Sequence, residues 1–146
     1  MENVVSKDLH LGIYGLLEQG ESILLIRKSR GPYKGLFDLP GGRPHHGEPL
    51  FEALRREIKE ETGIETDSFS LFGNFSFLIP YQDSHGNQKE LYHIALVYRV
   101  NKTDFASFNP KIVDEDVSGS LWIRWDELRK ENCSLLLRKV RETYEK

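Results

Sequence analysis

This 146-residue chain lacks the means for a disulfide framework, a zinc knuckle or a membrane helix. Its single cysteine, Cys133, has no internal partner and stands apart from any metal-type Cys/His spacing, so it is expected to be a plain thiol near a helix start. No apolar run approaches the ~20 residues that a spanning helix requires. Met1 to Asp8 shows no basic stretch followed by an apolar core, so no signal peptide is expected and the chain is assigned to the cytoplasm. Basic charge is not in excess either: 20 Lys+Arg face 23 Asp+Glu, a net −3. Nothing there draws a phosphate backbone by charge alone, which argues against a nucleic-acid polymer as partner. Repeats, low-complexity tracts and Pro/Gly/Ser linkers are also missing, so residues 1–146 are expected to form one domain.

Core-forming residues are plentiful. Hydrophobic residues make up 38% of the chain, with 8 Phe, 6 Tyr and 2 Trp, which argues against intrinsic disorder. Leu11–Leu17 and Ile23–Arg27 read as strands of a hairpin turned at Glu18-Gln19-Gly20-Glu21. A basic loop carrying Arg27, Lys28, Arg30 and Lys34 leads to a short strand, Leu36–Leu39, stopped by Pro40-Gly41-Gly42. Ser70–Ile79 and Glu90–Val100 read as two more strands with a turn at residues 83–87. Residues 101–119 are polar and long for a connection, hence either disordered or a functional loop. Leu121–Trp125 reads as a strand, with Asp126 and Ser134 as helix caps; Leu136, Leu137, Val140 and Tyr144 share one side of a last helix. The fold class is therefore mixed α/β, a sheet covered by helices.

The clearest helix runs from Pro49 to Gly63, with Phe51, Leu54 and Ile58 on one stripe. Glu57, Glu60 and Glu61 lie at spacings of three and four, so they share one face at the edge of that stripe. Like charges so placed repel, and they crowd the helix C-terminus, where the dipole disfavours anions. A bound divalent cation reverses both penalties, and carboxylate oxygens are hard ligands suited to Mg²⁺ or Mn²⁺. A backbone carbonyl at Gly41-Gly42 is a further candidate ligand.

The stretch Gly42–Ile64, GRPHHGEPLFEALRREIKEETGI, resembles the signature box of the Nudix hydrolases, G-x5-E-x7-R-E-U-x-E-E-x-G-U, with U a bulky aliphatic residue. Gly42, Glu48, Arg56, Glu57, Ile58, Glu60, Glu61, Gly63 and Ile64 match every specified position. The resemblance implies an α/β/α sandwich with a mixed sheet, and metal-dependent hydrolysis of a nucleoside diphosphate linked to another moiety: a nucleoside triphosphate, a dinucleoside polyphosphate or an ADP-sugar. It implies Glu57, Glu60, Glu61 and Gly42 as metal ligands, Glu57 as a candidate to orient or deprotonate water, and an Arg56–Glu48 ion pair steadying the loop. A later loop acid joins the site in many members, which makes Glu115, within Asp114-Glu115-Asp116, a further catalytic candidate.

Arg27 and Arg30 are candidates to meet substrate phosphates. Pro80, sixteen positions beyond the box, resembles the ADP-ribose hydrolases; Tyr81, one further, resembles the dinucleoside polyphosphate hydrolases and is a candidate to stack a base. The rival function is a non-catalytic nucleotide sensor or protein-binding module on the same fold, which has no need of three intact glutamates. Oligomeric state is not readable, and a homodimer stays open.

Overall fold

A computed structural model describes residues 5–101 and 103–144. The expectation about a signal peptide rests partly on residues 1–4, which lie outside that range. Among the described residues the strands are β1 (Ser6–Leu16), β2 (Glu18–Gln19), β3 (Ser22–Lys28), β4 (Phe37–Asp38), β5 (Gly41–Gly42), β6 (Phe69–Gln82), β7 (Gln88–Val100) and β8 (Val117–Arg124). The helices are α1 (Leu50–Thr62) and α2 (Leu135–Tyr144). None of them is long and apolar enough to cross a membrane.

Two sheets form. One has the order β5-β1-β7-β6 and is mixed: β1 runs parallel to β7, while β5 and β6 are antiparallel to their neighbours. In the other, β8 lies along one edge of β3, with β2 and β4 following each other along the opposite edge. The expected hairpin of Leu11–Leu17 with Ile23–Arg27 is therefore corrected. β1 and β3 belong to different sheets, and the turn closes only the short β2/β3 pair, Glu18↔Ile23 and Gln19↔Ser22. β1 is apolar on both faces over its second half, so it pairs centrally with β7 instead of folding back on its sequence neighbour.

Side-chain alternation then builds two cores. Ile13, Leu17 and Leu24 face one way and pack with Ala53, Leu54 and Ile58 of α1. Tyr14, Leu16, Ile23 and Leu25 face the other way and pack with Leu136, Leu137 and Val140 of α2. The sheets thus lie between the helices, the expected α/β/α arrangement. Phe51 departs from the expected stripe: it is half exposed, against the rings of Phe69 and Tyr98.

Helix ends follow local chemistry. Pro49 occupies the N-cap in an extended conformation, and Gly63 closes α1 at φ 79°, a left-handed position that glycine enters at no steric cost. Ser134 caps α2, its Oγ accepting from the Leu137 N–H at 3.0 Å and donating to Asp38 Oδ1 at 2.8 Å. Asp126 does not cap a helix. It lies in a single 3₁₀ turn and its carboxylate pairs with Arg124. β8 also starts four residues earlier than expected, at Val117. Apart from Lys102, which is not described, the loop 101–119 is tied down: Asn109 N–H donates to Thr62 O, and Phe105 and Phe108 stack edge-on to Trp122.

The Ser134 link bridges α2 to β4 and so to the cavity described next. Ser134→Ala is expected to cost about 2 kcal/mol, from the lost cap and the stranded Asp38 carboxylate. The measurement is the urea midpoint, and an unchanged midpoint contradicts the assignment.

Candidate active site

α1 presents its acids to a cavity of about 560 Å³ whose opposite wall is the Leu39–Gly42 turn, with His10, Tyr14, Lys28, Arg30, Asp114 and Asp116 around it. Glu61 is almost wholly buried, and its Oε1 accepts the Gly41 N–H at 2.7 Å. Burial pushes its carboxyl well above the usual carboxylate range, and the nearby Glu57 charge adds to that, against the Gly41 hydrogen bond. Burial also raises Glu57, opposed by Arg56. Glu60 is about half exposed, at 53%.

Arg56 organises the acids. Its Nε and Nη2 donate to the two oxygens of Glu48, each at 2.9 Å, a bidentate pair that holds Glu48 well below its ordinary range. Its Nη1 donates to Glu57 Oε1 at 2.9 Å and Glu60 Oε2 at 3.3 Å. Glu48 also accepts from the His45 N–H, which fixes the loop between the glycines and the helix. Among the described residues, no group of three or more Asp, Glu, His or Cys side chains converges as a ready cation cage. Arg56 holds Glu57 and Glu60, while Gly41 takes Glu61.

The fit to a hard cation comes from the surroundings. Gly42 lies directly against Glu57, where an added Cβ would stand 2.9 Å from the Glu57 carboxyl carbon. The carboxyl groups in this wall are buried or half-buried, Arg56 is the one cation paired with them, and the donors are all oxygen.

Other candidates divide. Arg30 lines the cavity and is paired with Asp116 and, at 3.4 Å, Glu115. Arg27 does not line it: its guanidinium lies 4.5 Å over the Phe37 ring and donates to Gly35 O. Strand alternation sends Lys28, not Arg27, to the cavity. Glu115 also lies outside the lining, its side chain 87% exposed. Asp114 Oδ1 accepts from the Asp116 and Val117 N–H groups, and this Asx turn leaves Asp114 and Asp116 as the loop acids facing the cavity. Tyr81 stands on edge strand β6 opposite Lys89, away from the cavity.

Sequence reasoning missed Asp38, His10, Tyr14 and His93. Asp38 is buried at the cavity wall, and desolvation raises its carboxyl to about 6, against Lys28, Ser134 and the Leu39 N–H. The one signal for it was a charge inside the short apolar strand. His93 is buried between Tyr14 OH at 2.8 Å and Tyr33 OH at 3.1 Å. Burial lowers it to about 3, so the ring is neutral, and one tyrosine donates to it while the other accepts.

The buried Glu61 makes a testable electrostatic claim. Its raised folded-state pKa means the native state holds a proton that the unfolded state has lost, so stability falls as pH rises above the ordinary carboxylate range. Glu61→Gln is therefore expected to raise the melting temperature by a few degrees without divalent cations, more at pH 8 than at pH 5. A gain that is the same at both pH values contradicts the claim.

Comparison with known proteins agrees with this geometry. The family model of the NUDIX domain matches residues 8–143. The chain is 28% identical over 132 residues to the nucleoside triphosphatase NudI of Escherichia fergusonii, covering 86% of this chain and 89% of that one. It is 43% identical over 77 residues to the ADP-ribose pyrophosphatase of Methanocaldococcus jannaschii, covering 53% of this chain but less than half, 44%, of that relative. The solved structure of a MutT NUDIX hydrolase from Burkholderia pseudomallei superposes with a TM-score of 0.71 at 25% identity, covering 93% of this chain and 98% of that one. With the box helix, its Arg56–Glu48 clamp and the sandwich all in place, the chain belongs to the Nudix hydrolase family.

Proposed function

We propose that residues 1–146 form one catalytic domain that hydrolyses the phosphoanhydride bond of a nucleoside diphosphate linked to a second moiety, with Mg²⁺ or Mn²⁺ as cofactor. The observation that carries the proposal is the meeting of Glu57, Glu60 and Glu61 with Asp114 and Asp116 around one cavity rimmed by Lys28, Arg30 and Arg43. Glu57, Glu60 and Glu61 would hold the metal, with a Gly42 backbone carbonyl as a further ligand. The bound cation supplies charge neutralisation at the diphosphate and a lowered pKa for an attacking water.

The protein's own residues do the rest. Lys28, Arg30 and Arg43 offer donors to phosphate oxygens at the rim. Arg56 keeps Glu57 and Glu60 in place between turnovers. Glu57, partly desolvated and with a raised carboxyl pKa, is the group best suited to take a proton from water. Glu61 also anchors the Gly41 turn against α1 through its Oε1.

The named relatives act on ADP-ribose and on nucleoside triphosphates, and both classes belong in the test. The purified chain is incubated with Mg²⁺ and a panel of nucleoside triphosphates, dinucleoside polyphosphates and ADP-sugars, with nucleoside monophosphate release as readout. Release from one class and not the others names the substrate. The Arg56 grip on two of the acids is the observation favouring the second reading, a nucleotide-sensing module. Saturable binding without turnover across the whole panel selects that reading.

A further inference from the structure

The C-terminal helix and the turn before it run against the acidic balance of the chain: from Arg129 to Glu142 there are five cations and two acids. Their positions are not scattered. All five cations, Arg129, Lys130, Arg138, Lys139 and Arg141, line a cavity of about 380 Å³ with a single acid, Glu142, and it shares no residue with the cavity of the box glutamates. That volume lies in the range of about 300–1,000 Å³ usual for small-ligand sites.

Three further observations bear on what would fill it. Elsewhere Arg30, Arg56, Arg99 and Arg124 each have a carboxylate within ion-pair distance, while Arg27 and Arg43 take other partners, the Gly35 carbonyl and His10. Among the described residues, Arg129, Lys130, Arg138 and Lys139 have none, although Glu142 lies three and four positions from Lys139 and Arg138, the spacing at which helical ion pairs form. Next, the Nε–H of Arg138 is buried and without an acceptor. That N–H has no accessible surface, so it does not itself meet a ligand in the cavity, and Arg138 contributes there through its charge. Last, Leu135, the first residue of α2, also lines the cavity, so the positive end of the helix dipole lies there.

We propose that this cavity binds a phosphate-bearing anion at a site separate from the catalytic one. A cation is excluded by the charge of the walls. A lone carboxylate would leave most of the donors unused, whereas phosphate offers several oxygens to planar guanidinium forks and ammonium groups together. Arg141 is fixed by donation to Leu128 O at 2.6 Å, which holds one wall of the cavity to the preceding turn.

The test is calorimetric titration of the full chain with pyrophosphate, inorganic phosphate and AMP. Excess chelator keeps divalent cations from recruiting these anions to the box glutamates, and sodium chloride holds ionic strength constant. Saturable pyrophosphate binding is expected, weakened at least about tenfold in Lys130→Gln/Lys139→Gln and in Arg138→Gln. The double lysine variant changes exposed side chains only, so it keeps the fold and the catalytic turnover while losing the anion. AMP binding as tightly as inorganic phosphate assigns the site to a nucleotide monoester; AMP binding tenfold weaker assigns it to the free inorganic ion. Both support an anion site. The proposal is overturned if no saturable binding occurs below about 10 mM, or if the double variant binds pyrophosphate as the parent chain does.

Discussion

Glu57→Gln is expected to lower kcat by about 10³-fold while leaving the protein folded. The size follows from the two roles the side chain would combine, ligand to the cofactor and acceptor of a proton from water, each of which alone supports 10²-fold effects or more. Folding is expected to survive because glutamine keeps the shape and still accepts from Arg56 Nη1, the 2.9 Å contact seen for Glu57 Oε1. The lost ion pair and the relief of a desolvated charge act in opposite directions, so their net effect on stability is small. Steady-state rates at saturating substrate and Mg²⁺, set beside melting curves, separate the two effects. A rate loss below tenfold removes Glu57 from the reaction; a rate loss that follows a collapse in melting temperature makes its role structural.

The largest stability effect is expected at Gly41. A Cβ there would stand 2.1 Å from the Ile13 carbonyl oxygen and 2.7 Å from Tyr14 Cα, and both obstacles are backbone that cannot rotate away. The residue also sits at φ 147°, a region that side-chain-bearing residues rarely enter. β5 must come this close because Gly41 pairs with Tyr14 of β1 while its N–H reaches Glu61 of α1. Gly41→Ala is thus expected to cost more than about 4 kcal/mol, comparable with the whole stability of many domains, and to leave little soluble protein. Gly73→Ala is the control, since an added Cβ meets Phe75 only at an ordinary 3.5 Å. Matching urea midpoints for the two variants contradict the close-approach account.

The box was legible because its information is local. A spacing of three and four places Glu57, Glu60 and Glu61 on one helix face whatever else the chain does, and Gly63 ends that helix through its own backbone freedom. The β6–β7 hairpin was legible for the same reason, its strands being joined by a five-residue turn, residues 83–87. The pairing of β1 was not. Its apolar run suits a hairpin with β3 or a central place beside β7 equally well, and the choice depends on what covers each face.

The rest of the site divides in the same way. Asp114-Glu115-Asp116 announced an acidic loop, but an Asx turn decided that Asp114 and Asp116 face the cavity and Glu115 faces solvent. Arg27 and Lys28 are neighbours in sequence, and the pleat of β3 sends one to Phe37 and the other to the cavity. Asp38 carries no motif. It becomes a wall of the cavity through the pairing of β4 with β3, and its carboxylate finds a donor in Ser134, 96 residues away.

By itself, then, the sequence determined the family and the acidic helix, both carried by the contiguous stretch Gly42–Ile64, and the mixed α/β class through local periodicity, while the Arg56–Glu48 clamp was implied by the family resemblance. The tertiary structure alone decided which loop acids join that helix, which basic residues reach the cavity, and that a second, cationic cavity forms beside α2. Those outcomes depend on which faces of distant strands and turns are brought together, and no spacing along the chain encodes that directly.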